Sequence, residues 1–597
     1  MQTAPARKTS FFLSKETLRI AVLALAAVLI WCAVEDRWTA EAWNTPVEYF
    51  KDPGAMDILS VLASIKAASE GNYTPLALKS NPRLGAPYGA SWNDYPNNEQ
   101  FQLFFTGLLA DSIGLMAAAN AAMLLLFVLA AVAFYFVCRQ FRCAWQWAFA
   151  MALVFAFAPF LFAHGQHHMT IIAVWHIPLC LLVCQWVSTG EGLRWKGWRF
   201  WFAAGVAIFA AVQNVYYAGM FLQLLALGCV LQLLRGRWRA ALPPMAVGAL
   251  VMATFLAMNV NTFVYHHKYG PNSVAVTRVY EELEWTGMKL IDFFMPWQHR
   301  IGAFQKWSEW YYGHAYVHGE TPPATYLGIV GIAALAWFLA RVLRRSVFAR
   351  PARPVPLAML QFAWIFAFSM VGGFNGLLGA VGFILFRATA RYSIFLLCIL
   401  LLFLARRLSC MTAKSPALAG GLALAVVALA LWDQTPPWKS AQDVQATAAL
   451  VNSDRKFAEG MEKHLPESAL VFEMPIMDYP ENKGTKVLSY EHFRPYLFTQ
   501  TLHFSFGGEK GRPRADWEHW LDNLPPKDFA MELERYGFSA VYVNLRGVDQ
   551  PWVEGLIDYA RSEGGSGMIS DEPGQLCVFL KPDPHPASPL DSPPVKR

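Results

Sequence analysis

Apolar and polar positions divide the chain into two unequal parts. Residues up to 432 carry about eleven apolar runs, each near the roughly 20 residues that a helix needs to cross a hydrocarbon core. They fall near 18–34, 115–138, 146–163, 169–187, 199–214, 217–234, 241–262, 324–343, 356–374, 391–407 and 416–432. Two long polar stretches interrupt them, 35–114 and 263–323. In the first, Ile58, Val61, Leu62 and Ile65 share one helical stripe, which predicts an amphipathic helix over 56–69 lying at a membrane surface. In the second, Met288, Leu290, Ile291, Phe293 and Phe294 predict another interfacial helix, closed by Pro296. Trp297 and the aromatic residues after it suit an interfacial belt or sugar contacts.

The basic residues order these spans. "RQFR", "GLRWKGWR", "RGRWR", "RVLRRSVFARPAR" and "ARRLSCMTAK" follow spans two, four, six, eight and ten. By the positive-inside rule these connections are cytoplasmic, together with an N-terminus that carries Arg7, Lys8, Lys15 and Arg19. The long polar stretches, the turn "HGQHH" and everything after 432 then lie outside. The first apolar run ends in "CAVEDRW" without a small-x-small cleavage pattern, so it is expected to stay as a membrane helix.

The pattern changes after "WDQTPPW". A helical period over "AQDVQATAALVNSDRKFAEGMEKHL" is followed by the β-like runs "ALVFEMP", "AVYVNL" and "QLCVFLKP". Two helical patterns, "PKDFAMELERYGF" and "PWVEGLIDYARSEGG", stand between them, which predicts a small α/β domain. The expected organisation is a mainly α polytopic membrane domain over 1–432, an extracytoplasmic α/β domain over 433–583 and a disordered Pro-rich tail over 584–597.

Composition narrows the class. The 597 residues are 55% hydrophobic and only 15% charged, too apolar for an ordinary soluble enzyme of this length. The nine Cys show no C-x-x-C and no zinc spacing, and all but Cys577 fall in the apolar spans or their short connections. No Walker A, G-x-G-x-x-G or H-E-x-x-H motif is present, so no nucleotide or nucleic acid is implied as partner.

Candidate chemistry gathers on the outer side. Asp57 opens the 56–69 helix, where a cap explains it as well as a reactive role does. Lys66 follows on that helix, and Asp52 and Asp36 are further acids of the same loop. Asp94 lies in "LGAPYGASWNDYP", a stretch too rich in Gly and Pro for a helix and read as an irregular cover beside Asp57. Arg387 and Arg391 stand four apart in "FRATARYS", on the side where basic residues are disfavoured. His164, His167 and His168 cluster in the outer turn, suited to sugar or phosphate contact or, with first-loop acids, to a metal. Lys289, His299 and Arg300 fall at the membrane surface of the second polar stretch.

The order of a first span, a long acidic first loop, further spans and an outer C-terminal domain resembles the GT-C class of membrane glycosyltransferases. The plan is similar to that of oligosaccharyltransferases, protein mannosyltransferases and lipid A aminoarabinose transferases. "DPGAMD…IKAASEG", "LGAPYGASWNDYP", "MKLIDFFMPWQHR" and "FRATARYS" look like those of a set of bacterial membrane proteins placed in or near that class. The adjacent acidic pair that several members carry in the first loop has no counterpart here except Glu35-Asp36.

The resemblance implies transfer of a sugar from a polyprenyl-phosphate donor to an envelope glycan, lipid or protein, at the periplasmic face of a bacterial inner membrane. It implies a first-loop carboxylate as general base, Asp57 before Asp94, and inversion at the anomeric carbon. Arg387 and Arg391 would then meet the phosphate, with Lys66, Lys289, His299, Arg300, His164 and His168 as further contacts. A divalent cation, magnesium or manganese, is the one cofactor considered. Two rival classes fit the span pattern: a transporter or flippase of lipid-linked glycans, and a non-catalytic envelope assembly protein. Convergence of the outer acids and arginines on one groove separates an enzyme from a scaffold.

Overall fold

The computed structural model describes all residues except 1–14, 53–56, 190–191, 297–298, 318, 352, 483–485, 564–566, 572–573 and 588–597. The expectations placed on Arg7, Lys8, Trp297 and most of the 584–597 tail lie outside the described residues.

Each of the eleven apolar runs contains a helix, and among the described residues seven helices are long and apolar enough to cross a membrane. These are Lys15–Glu35, Leu115–Gln140, Trp145–His164, Val215–Leu234, Trp238–Met258, Thr389–Met411 and Pro416–Gln434. The architecture is that of a multi-pass membrane protein. Three runs hold shorter apolar helices, His176–Thr189, Trp198–Ala211 and Leu357–Ser369. At 1.5 Å per residue, the 14 residues of His176–Thr189 reach only roughly 21 Å. Gly328–Ser346 has the length, but Arg341, Arg344 and Arg345 fill its last turns.

Local chemistry sets the helix ends. Asn214 caps Val215–Leu234 by accepting from the Tyr216 N–H, and Ser415 caps Pro416–Gln434 through the Leu418 N–H. Ser440 and Asp443 form a reciprocal capping box at the start of Ala441–His464. On the basic side, Arg139 Nη2 lies 3.0 Å from Glu16 Oε1 and Arg19 stands over the Trp145 ring. The first helix therefore begins beside the "RQFR" connection.

Two expectations about the first polar stretch are corrected. Besides the short Ala40–Trp43 turn of helix and Ile58–Ser69, it carries the long helix Gln100–Ile113, which its polar pattern does not predict. The Ile58–Ser69 helix is also no surface helix: Ile58, Leu59, Leu62, Ala63, Ile65 and Ala67 are fully buried. Its small residues allow this. A Cβ on Gly107 would overlap Ala68, so Gln100–Ile113 crosses at backbone contact on one side. Tyr496 of the C-terminal region packs on another, in one core with Ile65. In the second polar stretch, the interfacial helix is a single 3-10 turn, Leu290–Phe294.

The strands follow the β-like runs. After the short hairpin β1 (Ser80–Asn81) and β2 (Ala90–Ser91), the C-terminal region builds a five-stranded sheet. Its strands are β3 (Leu470–Met474), β4 (His503–Phe504), β5 (Phe538–Asn544), β6 (Met568–Ser570) and β7 (Gln575–Phe579), in the order β4-β3-β5-β7-β6. β3 pairs in parallel with β4 and β5, and β7 runs antiparallel to β5 and β6.

The stretch Leu84–Pro96 explains its own irregularity here. Gly85 N–H donates to Phe506 O, Ala86 N–H to Phe504 O, and Phe504 N–H to Arg83 O. The hairpin tip thus covers the β4 edge, which would otherwise expose unpaired backbone groups. A second clasp is buried: Arg494 pairs with Asp454, and the Tyr49 hydroxyl donates to Asp454 Oδ2 at 2.6 Å. The C-terminal region and the first polar stretch are held as one body at both places.

Candidate active site

A cavity of about 740 Å³ opens where the ends of several spans meet, away from the basic connections. Val34, Met123 and Phe162 give it an apolar wall; Glu48, Asp57, His168, Glu320, Arg387 and Gln434 give it a polar one.

The polar wall is built on a turn. The short helix Pro159–His164 ends at Gly165, whose φ of +50° lies in the left-handed region that favours glycine. A Cβ on Gly165 would overlap the Glu48 carboxylate. Glu48 Oε2 accepts the Gln166 and His167 N–H groups at 3.0 Å each and meets His167 Nδ1 at 2.7 Å. Gln166 Oε1 accepts the Val47 N–H, and Gln166 Nε2 donates to Asn120 Oδ1. These bonds fix residues 47–48 against the turn, and the turn delivers His168 to Asp57. His168 Nε2 lies 3.0 Å from Asp57 Oδ2, and its Nδ1 lies 3.4 Å from His164 Nδ1. Asp57 is the N-cap residue of its helix but makes no side-chain cap bond, so its carboxylate faces His168 and the cavity.

The field at this wall favours ionised acids. Burial alone would raise the Asp57 carboxyl, but the His168 bond and the charges of His168, His167 and Arg391 bring it below the usual carboxylate range. Glu48 behaves likewise: burial is outweighed by His167. Glu320 is lowered against its burial by Arg391, whose Nε and Nη2 reach its two oxygens at 2.6 and 2.5 Å. Asp52, with fewer partners, is raised by burial.

The two arginines of "FRATARYS" part ways. Arg387 lines the cavity, 3.0 Å from Glu282 and 4.0 Å from Glu481. Arg391 stands behind Glu320, in a two-bond pair, with its guanidinium 4.5 Å from the Tyr216 ring centroid.

The remaining sequence candidates have other partners. Asp94 is held by Arg512 Nε at 2.7 Å and Asn272 Nδ2 at 2.8 Å, and its side chain is fully buried between the hairpin and the C-terminal region. Lys66 pairs with Glu70 and faces the Tyr496 ring. Lys289 binds the Val317 carbonyl and lies over Tyr311. His299 meets Asp433 at 3.1 Å, and Arg300 binds the Trp432, Thr435 and Pro436 carbonyls at the end of Pro416–Gln434. His164 is buried behind His168. Among the described residues, no three His, Cys, Asp or Glu side chains converge as a metal-binding group.

Three wall residues carry no signal in the sequence pattern. Glu48 and Glu320 are single acids in ordinary-looking loops. Gln434 is buried, lies where a Cβ on Gly328 would stand, and has neither amide atom hydrogen-bonded.

Most of the chain aligns at 13% identity with two structures of the mycobacterial arabinofuranosyltransferase AftD. The TM-scores are 0.47 and 0.49, with 95% and 94% of this chain covered. The chain spans only 40% and 41% of the length of those enzymes. No curated protein matches. A family described as "Domain of unknown function (DUF6311)" matches residues 108–435, from the Gln100–Ile113 helix to the end of the last span. That match takes in more than half of the chain, and the protein belongs to the DUF6311 family.

Proposed function

We propose that the protein is a membrane glycosyltransferase that moves a sugar from a polyprenyl-phosphate donor to a glycan, lipid or protein acceptor at the outer face of a bacterial inner membrane. One observation carries this reading. Asp57 with its His168 partner, and Arg387, share one cavity whose wall passes from apolar span residues to charged loop residues. An amphiphilic donor has the same division, with an isoprenoid tail and an anionic head.

In the reaction, the acceptor hydroxyl attacks the anomeric carbon and gives its proton to Asp57. The bond from that carbon to the phosphate oxygen breaks, and the polyprenyl phosphate leaves with its electron pair. Attack opposite the leaving group inverts the centre. His168 holds the Asp57 carboxylate in place, and Arg387 offsets charge on the departing phosphate. Arg391 fixes Glu320 at the cavity wall.

The test is transfer in membranes that contain the protein, with a panel of radiolabelled polyprenyl-phosphate sugars. Wild type should label an acceptor, and Asp57→Asn at equal abundance should lose about 10²–10⁴ of the rate. Undiminished transfer by Asp57→Asn would remove Asp57 as base. Transfer from no donor, with lipid-linked sugar building up on one face of membranes lacking the protein, would replace the enzyme by a transporter.

A further inference from the structure

A second, smaller space of about 150 Å³ lies next to the first. Its walls include Ser60, Ser64, Trp92, Glu99, Thr170 and Tyr479. The Ile58–Ser69 helix connects the two. Asp57, Ser60, Val61 and Ser64 stand at the i, i+3, i+4, i+7 positions of one helical face. They are partly accessible, whereas Ile58, Leu59, Leu62, Ala63 and Ile65 to Ala68 are buried. The exposed face of an otherwise buried helix therefore runs from the carboxylate of the large cavity into the small pocket. Ser60 is one turn on, roughly 4.5 Å of rise from Asp57.

The opposite wall repeats this arrangement. His168 lines the large cavity, and Thr170, two residues later, lines the small pocket. The Asp57–His168 pair, 3.0 Å across, thus stands between two compartments.

The lining of the small pocket has the chemistry of a sugar site. The Trp92 ring, packed on the buried Tyr479 ring at 5.7 Å, gives the pocket an apolar surface for the C–H side of a pyranose or furanose. Ser60 and Thr170 add hydroxyls, and Ser64, whose hydroxyl donates to the Ser60 carbonyl at 2.9 Å, adds an acceptor. Glu99 is fixed by Asn214 Nδ2 at 2.9 Å, and burial raises its carboxyl above the ordinary value. The volume admits a single ring and no long chain.

We infer that this pocket is the acceptor subsite, seating one sugar ring of a glycan or glycolipid. This rests on the transfer reading. The base then stands at the junction of the two spaces, beside the acceptor hydroxyl whose proton it takes as that oxygen attacks the anomeric carbon directly. The donor occupies the large cavity and the acceptor ring the small one. A bare lipid or a peptide hydroxyl would leave this apolar surface unused.

The experiment uses the full-length protein in detergent. Saturation-transfer NMR is recorded with a panel of methyl pyranosides and furanosides, alongside photocrosslinking to a benzophenone-bearing polyprenyl phosphate. Ser64→Leu and Thr170→Leu fill the pocket from opposite walls, and both are checked by thermal melting. At least one glycoside should bind wild type and Asp57→Asn alike. Both leucine variants should weaken it at least about tenfold while crosslinking stays unchanged. Binding of no glycoside at millimolar concentration, or binding indifferent to both leucines, overturns the subsite and leaves the donor reading intact. Glycoside binding without any crosslink to wild type instead sinks the transfer reading and the acceptor role with it.

Discussion

The Glu48 carboxylate occupies the space that a β-carbon on Gly165 would take. It can do so because Gly165 turns the chain at a φ of +50° and presents the next two N–H groups to Glu48. Gly165→Ala should therefore cost about 2 kcal/mol or more, from backbone strain and from displacing Glu48. Sugar transfer should fall with it, because His167 and His168 ride on the same turn. In the Glu48→Ala background the clash is gone, so the double variant should be more stable than the sum of the two losses by about 1 kcal/mol. Melting of the four proteins checks this, and strict additivity would show that the turn relaxes around the new methyl group.

Asp57 and Asp94 should separate by what their loss does. Asp57 takes no part in capping and its carboxylate faces the cavity, so Asp57→Asn should lower melting only by the lost His168 pairing and should cut transfer about 10²–10⁴-fold. Asp94→Asn should leave Arg512 without its counter-charge and cost about 2 kcal/mol, with transfer per folded molecule retained. Parallel melting and transfer assays decide it. Transfer lost in a fully folded Asp94→Asn protein would bring Asp94 back into the chemistry.

The arginines should separate in the same way. Arg387→Gln removes a cation from the cavity wall where the phosphate departs and should lower kcat and kcat/KM for the donor at least about tenfold with little effect on melting. Arg391→Gln strands the Glu320 carboxylate beside the cavity, and loss of one partner from so enclosed a pair should cost about 3 kcal/mol. The reverse pattern would assign the phosphate to Arg391.

Much of this plan was legible because it follows from local rules. Apolar period located the seven membrane-crossing helices found among the described residues, since a run such as Leu115–Gln140 has no other stable state in lipid, but it missed Gln100–Ile113. The β-like runs likewise fell on β3, β5 and β7. The burial of Ile58–Ser69 was not legible. Its stripe of Ile58, Leu62 and Ile65 reads as one apolar face, but Ala63, Ala67 and Ala68 on the other side admit a second helix at backbone distance. Small residues are neutral in hydropathy and decisive in packing. The partners of Asp57 were hidden for a related reason. Glu48 and Glu320 lie 9 and 263 positions from it, and only the closed Gly165 turn and the Arg391 pair bring them to one wall. Asp94 shows the converse: a polar loop beside a reactive one invited a shared role, whereas Arg512, 418 positions away, claims its carboxylate.

The Glu48–His167 pair predicts a specific pH window. Burial alone would lower the His167 ring, but its bond to Glu48 and the surrounding acids lift it above the ordinary 6.5. Glu48 is held below its ordinary 4.5 by the same pair. For His167, a raised folded value means that its stabilisation is complete below pH 6.5 and fades as pH rises through the folded value. For Glu48, a depressed value means that its share is complete above pH 4.5 and fades as pH falls through the folded value. Both shares are therefore whole between pH 4.5 and 6.5. The melting difference between wild type and His167→Gln should be largest in that interval and shrink toward pH 9. Because His167 is buried at 6% exposure, salt should change the difference little. A difference that instead widens from pH 7 to 9 would mean that His167 is neutral in the folded protein and that Glu48 is held by the two backbone N–H groups alone.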